Sequence, residues 1–200
     1  MSRNMDPELK QCRSLGIEPM YLGIDKKSNR NFARSGKKVS EYGLQLREKQ
    51  KAKFIYGVLE KPFRNLFDKA ERIKTGTTGE NLMTLLELRL DNVMFRLGYG
   101  RTRKESRQIV DHRMVLVNGK CVNIPSYQVK PGDVISIKES AKTKAAQRFK
   151  DILEVTGGRT VPAWLEADHD ALSGKVVAAP TREQIDVPVN EMLIVELYSK

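Results

Sequence analysis

Between residues 60 and 98, apolar residues recur at the spacing of an α-helix. The first helix carries one apolar stripe, made of Phe63, Leu66, Phe67, Ala70 and Ile73, whose spacing of three and four residues predicts a core-facing side. Pro62 suits the first turn of that helix. Thr77 and Glu80 form a capping-box pattern that opens the next helical stretch, and Gly98 suits its end. Periodicity alone leaves open whether this stretch is one long helix or two helices with a break near Leu88.

Residues 99–137 change period and predict a helix followed by a small antiparallel sheet. Thr102 and Glu105 repeat the capping pattern and open a short helix that carries several cations. Asn118-Gly119 lies between two β-rich runs, and both residue types accept the positive φ of a tight hairpin turn. Residues 134–137 are predicted to form a third strand after a further turn. Helix and hairpin together predict a compact α–β surface with basic side chains along one edge.

Residues 1–40 show no sustained apolar period, and they combine scattered Lys and Arg with Gly, Ser and Asn. This pattern predicts a basic N-terminal extension, partly extended and ordered mainly by its partner. A solvated tail is the alternative. From Glu41 to about Gly57 the pattern is helical and crowded with basic residues, which starts the helical domain.

The charge distribution indicates a polyanion-binding protein rather than a generic α+β protein. The formal net charge is +11. Residues 1–80 hold 18 basic and 10 acidic residues, residues 81–150 hold 14 and 6, and residues 151–200 hold 4 and 9. Cations concentrated in three quarters of the chain favour nucleic acid as the partner. An anionic membrane is less favoured, because Trp164, the one tryptophan, lies in the acidic part.

Catalytic and metal-binding patterns are weak throughout. His112 and His169 are the only histidines, and neither has a second metal ligand at a typical spacing. Cys12 and Cys121 lie too far apart in sequence for a zinc motif, and a reduced compartment is the simplest interpretation. Asp91 lies beside an arginine, so an ion pair is favoured over acid–base chemistry. We predict no catalysis, no cofactor and no metal site.

Several motifs resemble the S-four RNA-binding domain in residue type and spacing. These motifs are Arg89-Leu90-Asp91, Arg96-Leu97-Gly98, Arg107, His112, Val117-Asn118-Gly119, Pro125-Ser126-Tyr127 and Pro131-Gly132-Asp133. Similarity to the same family continues outside that domain, in residues 42–51, 55–57, 78–82 and 189–200. From about Ser35 onward the chain is similar to the bacterial-type small (30S) ribosomal subunit protein S-four family.

The resemblance implies a fold and a domain order. The fold is α+β, a mostly helical domain with an inserted small α/β RNA-binding domain of two short helices and a β-hairpin or small antiparallel sheet. After the extension of residues 1–40, the helical domain is expected at 41–88 and completed by about 178–200. The RNA-binding domain is expected at 89–153, and residues 154–177 are expected to hold its remainder and an acidic linker.

The resemblance also implies a function. Such a protein is a structural constituent of the small subunit in the cytoplasm, a primary binder of 16S ribosomal RNA that nucleates assembly of the 5′ domain and contributes to translational accuracy. Expected partners are 16S ribosomal RNA, small-subunit protein five and messenger RNA at the entry channel, with no membrane. The alternatives are a translational repressor or general RNA chaperone, and an RNA-modifying enzyme that would need a further catalytic domain.

Two departures from the family pattern are visible. Many members carry four N-terminal zinc-binding cysteines, whereas only Cys12 remains here, which predicts a zinc-free variant. Arg113-Met114-Val115 replaces the usual Gly-His-Ile after His112, which adds a charge. Charge and resemblance together predict the following RNA-binding side chains: Arg3, Lys37, Arg47, Lys49, Lys51, Lys53, Arg89, Arg103, Lys104, Arg107, His112, Arg113 and Lys120.

Overall fold

The structure, a computed structural model, describes residues 7–26 and 40–199 and divides the chain into two compact units. Unit 1 contains the described residues of 1–83 and 186–200, and unit 2 contains residues 84–185. The helices are α1 Glu8–Leu15, α2 Glu41–Tyr56, α3 Glu60–Arg72, α4 Thr78–Glu87, α5 Leu90–Arg96, α6 Arg103–Asp111, α7 Glu139–Lys144, α8 Ala146–Thr156 and α9 Glu191–Tyr198, with 3₁₀ turns at Pro19–Leu22 and Arg182–Gln184. The strands are β1 Val115–Val117, β2 Lys120–Cys121, β3 Val134–Ile137, β4 Leu165–Asp168 and β5 Ser173–Val176. The predicted α+β class is confirmed.

Unit 1 is helical, and short capping signals set its helix ends. The Ser40 hydroxyl accepts a hydrogen bond from Gly43 N–H at 3.2 Å and begins α2, while Gly57 ends it at φ 62°. The predicted capping box opens α4, because the Thr77 hydroxyl accepts from Glu80 N–H at 3.3 Å and the Glu80 carboxylate accepts from Thr77 N–H at 3.2 Å. The apolar stripe of α3 is buried except for Ile73, which caps the helix in an extended conformation and is exposed.

The C-terminal helix α9 belongs to unit 1 and packs on α2. Its Tyr198 ring lies 4.6 Å from the Phe67 ring, and the Tyr198 hydroxyl donates to Glu60 at 3.0 Å. A Cβ atom at Gly79 would lie 2.7 Å from Cγ of Glu191, so the two segments approach closely where no side chain fits. The first and last parts of the chain therefore share one core.

The prediction of an N-terminal extension needs a correction over residues 7–26. This segment contains α1 and a 3₁₀ turn, and it buries Cys12, Ile17 and Leu22. Gly16, in the left-handed conformation at φ 71°, ends α1 and turns the chain. The apolar period did not predict this segment because its three buried residues are spread over a helix, a turn and a 3₁₀ segment. The rest of the predicted extension, residues 1–6 and 27–39, lies outside the described residues.

The helical stretch of residues 78–97 is two helices, with the break at Leu88 and Arg89. Backbone pairing with a later loop explains the break. Leu90 N–H donates to the Tyr127 carbonyl at 2.9 Å, and Val129 N–H donates to the Leu88 carbonyl at 3.0 Å. At the break, hydrogen bonds to residues 127 and 129 therefore replace hydrogen bonds within the helix.

The sheet of unit 2 has five antiparallel strands in the order β2-β1-β3-β5-β4. The predicted hairpin turn is present, with Asn118 at φ 49° and Gly119 at φ 76°, both positive as a type I′ turn requires. One core contains the apolar faces of α5, α6, α8 and the sheet. Among the described residues, no helix has both the length and the apolar character that crossing a bilayer requires.

Two sequence predictions for unit 2 were incomplete. Residues 154–177, expected to hold the remainder of the inserted domain and an acidic linker, contain β4 and β5, and they bury Trp164, Leu165 and Val176. Two further helices, α7 and α8, follow β3 where only two short helices were expected in the whole domain. The apolar residues of β4 and β5 are too few and too separated by charges to give an alternating pattern, so tertiary packing decides these strands.

Candidate nucleic-acid interface

A buried ion-pair network fixes the start of α5 against α6. The Arg89 guanidinium donates to both carboxylate oxygens of Asp91, at 3.2 and 3.1 Å. Arg107 adds a longer contact of 3.4 Å to the same carboxylate. Arg89 is only 4% exposed. The pairing confirms the predicted Arg89–Asp91 contact, and it means that Arg89 does not present its charge to solvent.

A second buried network joins α4, α5 and α6. The Asn92 amide donates to the Glu87 carboxylate at 2.7 Å, and its carbonyl oxygen accepts from Arg103 Nε at 2.8 Å. Arg96 Nη2 donates to the same Glu87 carboxylate at 2.8 Å. The Arg103 guanidinium also lies 4.3 Å from the centre of the Phe95 ring. Arg103 is 8% exposed, so it stabilises the packing of α6.

These networks show where the structure places three of the predicted RNA-binding arginines. Arg89 and Arg103 were predicted to contact RNA, and Arg103 and Arg107 were expected to project together from one face. Instead Arg103 turns inward, and Arg107 is half-buried against Asp91. The sequence shows charge but not which carboxylate or amide will face it, so the burial of these arginines could not be predicted. Their contact with RNA stays a prediction.

Helix α6, the turn after it and the hairpin carry exposed basic side chains. Lys104, His112, Arg113 and Lys120 are all exposed. After α6, Arg113 adopts the left-handed conformation with φ 59°, and its N–H donates to the Val110 carbonyl at 2.9 Å. This turn leads directly into β1 and the Asn-Gly hairpin. The predicted group of His112, Arg113 and Lys120 therefore lies on one continuous helix–turn–hairpin segment.

The predicted capping box at Thr102 forms only in part. The Thr102 hydroxyl accepts from Glu105 N–H at 3.2 Å, as expected. The Glu105 carboxylate, however, accepts from Arg101 N–H at 2.9 Å rather than from the cap residue. The hydrogen bond from Glu105 N–H caps the first turn of α6, in which Lys104 is exposed.

Sequence reasoning missed Lys138, which lies beside this segment. Val115 of β1 pairs with Ile137 of β3, so Met114 and Lys138 are the next opposed residues, and Lys138 N–H donates to the Met114 carbonyl at 2.9 Å. Lys138 is exposed and contributes with His112 and Arg113 to a groove of about 260 Å³. The signal was available, because Lys138 directly follows the strand that sequence predicted at 134–137.

In unit 1, three of the four predicted cations of α2 are partly buried and already paired. Arg47 is exposed and forms no ion pair with another described residue. Lys49 and Lys53 donate to the Glu60 carboxylate at 2.9 and 2.7 Å, and Lys51 donates to a neighbouring glutamate on α2 at 2.6 Å.

The Glu60 carboxylate is strongly stabilised in its charged form. Burial opposes its ionisation, but hydrogen bonds from Lys53, Lys49 and the Tyr198 hydroxyl outweigh burial and lower the pKa of Glu60 to about 2. Its side chain is nevertheless 49% exposed, so solvent and solutes reach the cluster.

The remaining predictions concern residues outside the described range and metal binding. Arg3 and Lys37 lie outside the described residues. Across residues 7–26 and 40–199, no cluster of three or more His, Cys, Asp or Glu side chains could hold a metal ion. Cys12 is buried, and burial, followed by the nearby Glu8 charge, raises the pKa of its thiol. A protonated buried thiol packs as an apolar group and is a poor metal ligand.

Comparison with known proteins decides the family. The S4 domain matches residues 88–135, and the ribosomal protein S4/S9 N-terminal domain matches residues 3–87. The chain is 80% identical to small ribosomal subunit protein uS4 of Lachnoclostridium phytofermentans, over the full length of both chains. This chain belongs to the small ribosomal subunit protein uS4 family. The uS4 proteins of Lachnospira eligens and Agathobacter rectalis are 72% and 70% identical, again over the full length of both chains.

Membership of the uS4 family confirms the resemblance found in the sequence. The S4 domain match covers the Arg89–Asp91 pair, Asn92, Arg103, the end of α6 and the Asn-Gly hairpin, all within residues 88–135, whereas Glu87 directly precedes the match. Lys138, α7 and the rest of the groove wall lie after the end of that match. The uS4 family assignment therefore accounts for the helix–hairpin segment, while the groove beside it extends past the matched domain.

Proposed function

We propose that this uS4-family chain is a structural, non-catalytic component of the small ribosomal subunit that binds ribosomal RNA in the cytoplasm. Full-length identity of 80% to a small ribosomal subunit protein carries this conclusion. The formal charge of +11 and the exposed cations of the α6–hairpin segment agree with it. No cofactor or metal has a part in this role.

The geometry explains how a small domain could present cations to RNA in a fixed arrangement. The buried pairs of Arg89 with Asp91 and Arg103 with Asn92 hold α5 against α6. Arg113 and Lys120 then project from elements that do not need to reorganise on binding. A-form RNA hides its base edges in a deep, narrow groove, so such a surface suits phosphates and 2′-hydroxyls. Arginine contributes paired hydrogen bonds to phosphate oxygens.

The finer role is assembly of one RNA region. We propose that the RNA is the 5′ domain of 16S ribosomal RNA, that the chain nucleates folding of this domain, and that it contributes to translational accuracy. Residues 151–200 hold 4 basic and 9 acidic residues, and on charge grounds they favour a protein neighbour, for which small-subunit protein five is the candidate. Messenger RNA at the entry channel is a further candidate partner of the basic surface.

Binding of the purified chain to 5′-domain RNA across a salt series tests this function. Unrelated structured RNA and duplex DNA serve as competitors. We expect the 5′-domain complex to survive salt concentrations at which both competitors are released, because shape-specific contacts add to counterion release. Equal affinities that fall together with salt would contradict a site-specific role and favour a general RNA chaperone.

A further inference from the structure

We propose that the groove between the end of α6 and the β3–α7 turn binds a backbone phosphate of the RNA, and that Lys138 donates to that phosphate. This inference rests on the proposed function and deepens it. It assigns a ligand role to a residue beyond the matched S4 domain, which ends at residue 135.

Strand register places Lys138 at the groove. Val115 and Ile137 are opposed and buried in the core. Met114 and Lys138 are the next opposed residues, and Met114 is partly buried against the core, whereas Lys138 is exposed. The Lys138 N–H donates to the Met114 carbonyl at 2.9 Å, which fixes the backbone at this position. The backbone of Lys138 is therefore held in place, and its side chain lies at an exposed position.

The groove combines cations with an apolar floor. His112, Arg113 and Lys138 contribute the charge or the ring nitrogens, Ser140 adds a hydroxyl, and the remaining lining is Met114 and two alanines. Its volume of about 260 Å³ is below the roughly 300–1,000 Å³ of pockets that enclose small molecules. An open groove of this size suits part of an extended backbone better than a complete small ligand.

The charges in the groove are not neutralised by nearby carboxylates. Arg113 and Lys138 form no ion pair with another described residue. The adjacent carboxylate, Glu139, accepts from Lys142 at 2.7 Å and is 84% exposed. Two uncompensated cations beside each other repel, and a phosphate between them would remove that repulsion. Charge complementarity therefore favours a polyanion over an acidic protein segment with weaker, more dispersed charge.

The backbone at Arg113 gives a second, independent indication. A residue other than glycine at φ 59° carries a strain of roughly 1 kcal/mol. Glycine would avoid this strain, yet the position holds the side chain that best recognises phosphate. Strained residues of this kind are concentrated at binding sites.

The test compares Lys138→Gln with Lys175→Gln, a matched control. Lys175 is exposed on β5 and lines a different cavity beside Glu166 and Asp168. For Lys138→Gln we expect about threefold to tenfold weaker binding to 5′-domain RNA and a salt slope lower by about one. Lys138→Arg should restore both values. Equal behaviour of Lys138→Gln and Lys175→Gln would overturn the inference.

A second measurement needs no variant. Lysine acetylation of the wild-type chain, followed residue by residue with mass spectrometry, should show Lys138 protected by RNA and Lys175 unprotected. Equal acetylation of Lys138 with and without RNA would overturn the inference. If the wild-type chain does not prefer the 5′-domain RNA at all, the proposed function fails first, so the two failures are distinguishable.

Discussion

The basic residues of α2 in unit 1 and the arginines Arg89 and Arg103 in unit 2 carry the same charge but lie in different environments. In unit 1, Lys49 and Lys53 share a Glu60 carboxylate that is half exposed. In unit 2, Arg89 and Arg103 are below 10% exposed and are held by buried partners. Surface pairs contribute little free energy and can exchange partners, whereas removing one member of a buried pair leaves a desolvated charge.

This difference in burial indicates which cations can contact RNA. A phosphate can replace a solvent-accessible carboxylate, so Lys49 and Lys53 stay candidates for RNA contact. We expect a phosphate to reach Arg89 and Arg103 only if the core of unit 2 opens, because both are buried and paired. The exposed group of His112, Arg113 and Lys120 needs neither exchange nor opening. The number of basic residues therefore overstates the number of cations that can reach RNA. Burial divides these residues into a buried frame, which contains Arg89 and Arg103, and an accessible binding face.

The largest expected effect comes from breaking the buried frame. Glu87→Gln replaces an acceptor for Arg96 and Asn92 with an amide, and it leaves a guanidinium without its counter-charge. We expect the free energy of unfolding to fall by about 3 kcal/mol. Equilibrium denaturation of the full chain measures this loss. Glu139→Gln is the control, because its partner Lys142 pairs at an exposed site, and it should cost less than about 0.5 kcal/mol.

The exchangeable pairs of unit 1 should show a smaller, pH-dependent effect. The pKa of Glu60 is about 2 in the folded chain, below its ordinary value of 4.5. The unfolded chain therefore binds this proton first, and the stability contribution is complete above about pH 5 and lost as the pH falls toward 2. Because the carboxylate is half exposed, we expect it to contribute about 1 kcal/mol or less.

Glu60→Gln should remove the stability contribution of the Glu60 carboxylate and leave Lys49 and Lys53 without this charged acceptor. Denaturation between pH 2 and 7 should show a flatter pH dependence than in the wild-type chain. We also expect about twofold tighter RNA binding, since phosphate no longer competes with the carboxylate. Glu71→Gln, an exposed change on α3 with the same net charge, is the control. If both variants behave alike, the lysine pairs do not limit RNA binding.

The smallest expected effect is at Arg113, where two substitutions should weaken RNA binding alike but differ in the free energy of unfolding. Arg113→Gly relieves the strain at φ 59° and should raise the free energy of unfolding by about 0.5 kcal/mol, after the extra freedom of glycine in the unfolded chain is counted. Arg113→Gln keeps the strain and removes the charge. Both variants should weaken RNA binding equally, and only the glycine variant should be stabilised. Equal stability of the two variants would contradict the strain at this turn.

Local signals were sufficient for several elements. The Asn118-Gly119 turn, the capping box of Thr77 and Glu80, and the strand at residues 134–137 depend on residues close in sequence, so the sequence predicted them correctly. The end of α4 near Leu88 was left open, because the pairing with Tyr127 that ends it comes from a distant loop.

Long-range packing decided what could not be predicted. Strands β4 and β5 depend on Trp164 and on pairing with β3, and neither gives a local pattern. The same limit applies to the candidate interface. Arg103 and Arg113 are both arginines at the two ends of α6, yet one stacks on Phe95 in the interior and the other reaches solvent. Only the fold shows which of them is available to RNA.

Salt-dependent RNA binding of Arg103→Gln and Arg113→Gln tests the division into frame and binding face most directly. Both variants lose one positive charge on the same helix–turn segment, and both are measured where they remain folded. Arg113→Gln should lower the salt slope by about one without loss of stability, whereas Arg103→Gln should lose stability and keep the wild-type slope. A slope lowered equally by both substitutions would contradict the division, because a buried frame arginine would then be contacting phosphate.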